Sequence, residues 1–269
     1  MNEAVEQASR GGILTCASLM MGAAATEDAV ARARRLPGLK VGLHLVLVEG
    51  RPVSPPGTVP DLVDDNGMFR RGMAPAGVRF FFSPGVRRQL AAEIRAQFEA
   101  FSRTGLPLDH VNTHKHFHIH PTVAEMILRI GREFGLRALR VPSEPVDVLR
   151  RATPEGPRIS APLYTPWIRL LAHRLRRGGV ALNDHLFGLA WTGAMTEDRL
   201  LRLLAALPPG VSEIYAHPAV RRTELLTRAM PNYRPTDELA ALMSAAVRKA
   251  ISEAGIELTT YTALAGQAA

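Results

Sequence analysis

The stretch HVNTHKHFHIHP, residues 110 to 121, sets His114, His116, His118 and His120 on alternate positions. Four of the nine histidines in 269 residues are spent here. In an extended strand successive side chains point to opposite faces. This spacing therefore predicts four imidazoles on one face, with Lys115, Phe117 and Ile119 on the other. Pro121 stops the ladder, and Thr122-Val-Ala-Glu125 has the form of a capping box that opens a helix. The histidines are thus expected at the carboxyl end of a strand, where parallel α/β folds build their sites. A solvated edge strand would not favour imidazole, and an affinity tag is ordinarily terminal and unbroken. The row points instead to a metal-binding or catalytic role.

Outward from this stretch, strand-like and helix-like segments alternate. Strands are expected at Ile13–Met20, Leu39–Leu47, Leu108–His120, Leu136–Val141, Val180–Leu189, Val211–His217 and Ile256–Thr262. Between them run apolar stripes of helical period: Leu90, Ile94, Phe98 and Phe101; Val123, Met126, Ile127, Ile130 and Phe134; and Leu239, Leu242, Met243, Ala246, Val247 and Ala250. The alternation implies βα units and a mostly parallel sheet, closed or nearly closed into a barrel, in one domain over residues 1–269. The Pro- and Gly-rich loop from Glu49 to Gly85 follows a strand and is expected to wall the site. The chain opens in a helix bearing Val5 and Ala8, with Gly11-Gly12 as its stop. A βα fold normally leads with a strand, so the first strand is expected to be missing.

Hydrophobic content of 46% and charged content of 22% are ordinary for a soluble globular enzyme. The net charge of +8 favours anionic partners. No basic run is interleaved with aromatics, so nucleic-acid binding is not expected. Cys16 stands alone, which excludes an intramolecular disulfide framework or a cysteine metal knuckle. MNEAVEQASRGG has neither the basic start nor the apolar stretch of a signal peptide, and ILTCASLMMGAAA is too short to span a bilayer. A cytoplasmic protein is expected.

Two further histidines end strands. His44 lies in KVGLHLVLVEGRP, where a buried imidazole needs a partner or a metal, and His217 lies in EIYAHPA. Three strands ending in histidine converge on one rim if the sheet is barrel-like. Such a ligand set suits a divalent metal completed by a carboxylate and water. Asp184, in VALNDHLFGLAW, is either a site carboxylate or a turn cap. Arg140 and Glu144, in LRVPSEP, either bind substrate hydroxyls or pair with one another. The basic helix from Trp167 to Arg177 has an apolar stripe, which faces either the core or a lipid surface.

These residues carry a resemblance. Residues 13–53, HVNTHKHFHIHPTV, LRVPSEP and YAHPA occur in the order seen in the YdjC-like carbohydrate deacetylase family. NDHLFGLAWTGAMT and RAMPNYRPTDELAAL resemble its hopanoid biosynthesis-associated branch. The resemblance implies a distorted (β/α) barrel, NodB-like and TIM-like. It also implies one divalent metal, Mg²⁺ or Zn²⁺, and hydrolysis of an N-acetyl group from an amino sugar carried on a hopanoid lipid. It implies metal ligation by His44 and His114, a catalytic role for His217, and site-lining His116 and His118, with Arg140, Glu144 and Asp184 as substrate-binding candidates. Peripheral contact with the inner membrane and a homo-oligomer are compatible with it. Family members begin with a strand ending T-A-D-D-F-G, whose aspartates supply a metal ligand and the general base. That motif is absent here, so an N-terminally truncated domain with impaired activity is expected. Two alternatives stay open: a degenerate, non-catalytic sugar- or lipid-binding protein, and a barrel amidohydrolase or phosphoesterase of another family.

Overall fold

Parallel strands laid down in sequence order carry the molecule. In this computed structural model, which describes residues 1–153 and 163–267, β1 (Cys16–Leu19), β2 (Lys40–Leu45) and β3 (Leu108–Thr113) form a parallel sheet in the order β1-β2-β3. A parallel bridge joins Val111 to Leu139 and another joins Ala138 to Ala181, so the succession continues past β3. β4 (His185–Phe187) and β5 (Ser212–Ile214) then pair in parallel. The α/β class with parallel strands is as expected. Among the described residues β1 and β5 each pair along one edge only, and the segment from Ile256 to Thr262 is not a strand. Tyr261 instead opens a helix. Its ring stacks on His110 at 4.7 Å, and the Thr262 amide and hydroxyl both bind Asp109. Side-chain contacts, not ladder bonds, hold this segment.

Helices cover the strands: α1 (Asn2–Gly11), α2 (Thr26–Ala33), α3 (Met73–Phe82), α4 (Pro84–Arg103), α5 (Pro121–Glu133), α6 (Val146–Ala152), α7 (Thr165–Arg177), α8 (Glu197–Leu204), α9 (Glu224–Ala229), α10 (Pro235–Met243), α11 (Ala245–Glu253) and α12 (Tyr261–Gln267). The main core packs Leu43, Leu45 and Val111 of the sheet against Leu90, Ile94 and Phe98 of α4 and Val123, Ile127 and Ile130 of α5. These are the apolar stripes read at helical spacing. A second cluster joins α6, α8, α10 and α11 around Leu149, Leu200, Leu203 and Val247. The expected stripe from Leu239 to Ala250 is two helices, because Ser244 is extended (φ −63°, ψ 131°) and its hydroxyl caps the Val247 amide. The loop from Glu49 to Gly85 holds a 3₁₀ turn at Pro56–Thr58 and all of α3. Gln97 and Glu93, on α4, bind the Val46, Val53 and Ser54 amides and so pin the chain just after β2. The apolar stripe of α7 faces the core, since Ile168, Leu171, Ala172 and Leu175 are buried.

The sheet corrects the central expectation. β3 ends at Thr113, and His114–Ile119 forms a tight 3₁₀ segment in which Lys115 (φ 54°, ψ 25°) and His116 (φ 55°, ψ 32°) are left-handed. The four alternating histidines therefore do not share one strand face. Left-handed non-glycine residues are strained and cluster at functional sites. The turn is closed by Thr113, whose hydroxyl accepts the His118 amide at 3.0 Å and contacts His118 Nδ1 at 2.8 Å. α5 starts at Pro121 with His120 as its N-cap and no side-chain cap, so Thr122–Glu125 is not a capping box.

β2 and β3 approach closely at Gly42, where an added Cβ would lie 2.5 Å from His110 Cε1 and 2.6 Å from its carbonyl oxygen. Backbone cannot yield there as a flexible side chain would. Gly42→Ala is expected to destabilise by about 1–3 kcal/mol, read as a lower urea midpoint.

Candidate active site

Three segments bring their histidines together. β2 carries His44, the turn after β3 carries His114, His116 and His118, and the segment after β5 carries His217. The His44 and His114 rings lie 5.7 Å apart, edge to face. His116 stands 6.2 Å from His118 and 5.8 Å from Tyr215, Tyr215 lies 5.6 Å from His217, and His217 lies 5.1 Å from Tyr233. The two groups are near enough that a proton on His217 would disfavour one on His44 and on His116.

Burial keeps these imidazoles neutral at pH 7. It lowers His44 to about 3, His116 to about 2, His118 to about 3 and His217 to about 4, with the Arg140 charge adding to each. His114 is lowered by burial and by Lys115. Neutral imidazole is the form that ligates metal or accepts a proton. Several of its nitrogens lack partners: His116 Nδ1, His118 Nε2, His120 Nδ1 and His217 Nδ1 are buried without a hydrogen bond. Each such orphan costs about 1–3 kcal/mol unless a ligand or water meets it.

Asn112 orients His44. Its Oδ1 accepts the His44 Nδ1–H at 2.6 Å, while its Nδ2 donates to Ser18 Oγ at 2.7 Å and also lies 3.3 Å from His110 Nε2. With Nδ1 protonated, the His44 Nε2 lone pair is left for a ligand, the arrangement typical of metal-binding histidines. His44 and His114, with rings 5.7 Å apart, are the two imidazoles that could donate to one divalent ion. Among the described residues no group of three His, Cys, Asp or Glu is placed to hold a metal ion. The expected carboxylate partner is therefore not supplied by them.

Arg140 lies under the cluster, 8% exposed, with its guanidinium 5.2 Å from the Tyr215 ring. It does not pair with Glu144. Instead it donates two hydrogen bonds to Glu213, whose carboxylate also accepts the Tyr261 hydroxyl at 2.6 Å. Burial alone would push Glu213 up, but the charge and hydrogen bonds of Arg140 hold it below the usual carboxylate range. Removing one partner of such a pair strands the other charge. Arg140→Met is expected to cost about 3–5 kcal/mol, most of it recovered by adding Glu213→Leu, as measured by chemical denaturation.

Glu144 accepts the amides of Gly188, Leu189 and Ala190, each at 2.9 Å, and so shapes the turn against Tyr215. Asp184 pairs with Arg176 at 2.6 Å and accepts the Val211 amide at 3.0 Å. Neither partner belongs to the histidine cluster, so the structure uses Asp184 as a turn cap. Sequence reading missed Asn112, Tyr215, Glu213, Tyr233 and Glu238. Glu238 is buried and accepts the amides of His217 (2.7 Å) and Met195 (2.9 Å), fixing the segment that carries His217. Asn112, two residues before His114, and Glu213 and Tyr215, on alternate positions before His217, had a local signal in their strand-like runs; Tyr233 and Glu238 had none.

Comparison with known proteins finds relatives along nearly the whole chain. The chain is 30% identical to a carbohydrate deacetylase of Brevibacillus brevis, over 98% of this chain and 94% of that protein. It is 30% identical to a carbohydrate deacetylase of Geobacillus stearothermophilus, over 97% and 91%. A chitooligosaccharide deacetylase of Yersinia pestis is 28% identical over 97% and 92%. A solved structure from Enterococcus faecalis, described as a cellobiose-phosphate cleavage protein, has the same fold. Its TM-score is 0.73 at 23% identity, covering 98% of this chain and 92% of that one. Residues 1–253 match the family described as YdjC-like protein, and the chain belongs to that family.

Proposed function

We propose that the chain hydrolyses the N-acetyl group of an amino sugar, using a divalent metal ion, Zn²⁺ or Mg²⁺, held by His44 and His114. One observation carries the reading: imidazoles from three separate segments gather in one place, and those of the histidine turn and His217 keep unpartnered buried nitrogens. The deacetylase names of the full-length relatives support the reaction class.

The ion, when bound, supplies Lewis acidity toward the acetamide carbonyl. His217, neutral at pH 7, accepts the proton of the attacking water at Nδ1. It then delivers that proton to the amine nitrogen as the C–N bond breaks, leaving acetate and the free amine. Tyr215 and Tyr233 flank the His217 ring, and Glu238 holds its backbone. His116 lines the site, while His118, fully buried, holds the turn in place through Thr113. Burial keeps the neighbouring imidazoles unprotonated, and the Arg140 charge adds to it. The resemblance to the hopanoid-associated branch extends the proposal to a sugar borne on a hopanoid lipid. The two-imidazole donor set extends it to weak metal binding and slow turnover.

The small donor set also favours a second reading, a sugar-binding protein without turnover. Acetate release from N-acetylchitooligosaccharides, with Zn²⁺ or Mg²⁺ added, separates the two. Metal-stimulated release supports hydrolysis. Sugar binding with no acetate above background removes it.

A further inference from the structure

The helix α3 ends in Phe80-Phe81-Phe82, and only the first of these is buried. Phe82 is 74% exposed, Val78 59% and Phe81 50%. The Phe81 and Phe82 rings pack on each other at 4.9 Å, which makes one apolar ridge. No acidic residue occurs from Asn66 to Ala92, whereas Arg70, Arg71, Arg79, Arg87 and Arg88 do. Arg79 pairs with Asp61 at 3.5 Å. Arg70, Arg71, Arg87 and Arg88 are exposed, with no carboxylate bound to them among the described residues. The ridge is therefore flanked at both ends of its helix by unneutralised guanidinium groups.

The ridge also lies close to the histidine turn. Phe81 is 6.2 Å from His120, the residue that ends the turn carrying His114 to His118. The preceding carbonyl, on Ile119, accepts the Trp167 indole N–H at 2.6 Å, bringing in the start of α7. We infer that Val78, Phe81 and Phe82, with Arg70, Arg71, Arg87 and Arg88, form a surface that docks on a bilayer bearing anionic headgroups. Phenylalanine inserts at the acyl boundary while arginine stems run back to the phosphates, the pattern of interfacial helices. Charge complementarity selects this occupant. A two-fold contact between copies would set the same arginines against each other, and an uncharged surface would leave four of them unmatched. α7 does not provide this surface, since its apolar stripe is in the core. The inference stands on the surface alone and is independent of the hydrolysis reading.

Vesicle flotation tests it. The whole chain is floated with phosphatidylcholine vesicles, with and without phosphatidylglycerol, at low and high salt. Binding to the anionic vesicles at low salt is expected, falling at high salt and in phosphatidylcholine alone. The double variant Phe81→Ser/Phe82→Ser should bind at least roughly tenfold more weakly, and so should Arg87→Gln/Arg88→Gln. Thermal melts and light-scattering mass accompany each variant, and the exposure of these side chains keeps the fold intact. Absence of flotation at low salt, or variants that float like the wild type, overturns the inference. So does a wild-type dimer that the Phe variant dissociates without any vesicle binding, which assigns the face to a second copy. Acetate release from a soluble oligosaccharide is scored separately, so failure of either reading is seen on its own.

Discussion

Replacing His44 or His114 by alanine lowers divalent-metal affinity by at least about 10²-fold, the upper range for loss of a mere supporting hydrogen bond at a metal site. Acetate release falls to background in both variants. The expectation follows from geometry: the rings are 5.7 Å apart, and the His44 Nδ1 proton is committed to Asn112. Each imidazole thus offers a neutral nitrogen, and neither has a substitute, because no further His, Cys, Asp or Glu among the described residues completes a group of three. Asn112→Leu leaves both ligands in place but frees the His44 ring, and a loss of about 10–100-fold is expected. Isothermal titration with Zn²⁺ and Mg²⁺ measures all three. Unchanged affinity in His44→Ala and His114→Ala contradicts the assignment.

Acid is expected to unfold the protein well before its carboxylates titrate fully. The folded chain refuses protons at His116, His118 and His217, whose values sit at about 2, 3 and 4, whereas the unfolded chain accepts them near 6.5. The unfolded state therefore binds more protons below pH 6.5, and stability falls as pH drops through that value. Above it these rings leave stability unchanged. At about 1.4 kcal/mol per pH unit, each ring removes roughly 2 kcal/mol by pH 5, and three together remove roughly 6. That rivals the whole stability of an ordinary domain. Burial raises Glu144 and Glu238, which opposes the loss in the lower part of the window. Thermal melts from pH 7.5 to pH 5 measure the effect. A midpoint constant across that range shows that the rings protonate freely while folded.

What could be read from the sequence was local. The stripes of α4 and α5, the strands around His44 and Val111, and the placing of His44 and His217 near strand ends all follow from period and punctuation. The form of the histidine turn does not. An alternating row is the pattern of a strand, and the backbone instead turns left-handed at Lys115 and His116 because Thr113 bonds His118 across the turn. The partners that organise the site are distant in sequence. Asn112 reaches His44 across 68 residues, Arg140 reaches Glu213 across 73, and Glu238 reaches the His217 amide across 21. Periodicity carries no information at such separations. The segment from Ile256 to Thr262 looked like a strand because β-branched residues crowd it. Tyr261 and Thr262 bind Glu213 and Asp109 instead, and tertiary contacts override propensity there.

The central claim is that imidazoles from separate segments act as one hydrolytic site, and His217→Gln tests it most directly. The side chain keeps its volume and a polar end but cannot carry the proton. Glu238 still holds the residue 217 amide, and His44 and His114 are untouched. Acetate release from an N-acetylchitooligosaccharide at saturating metal should fall by about 10²–10⁴-fold, with metal affinity unchanged. Acetate release at the wild-type rate in His217→Gln would contradict the account.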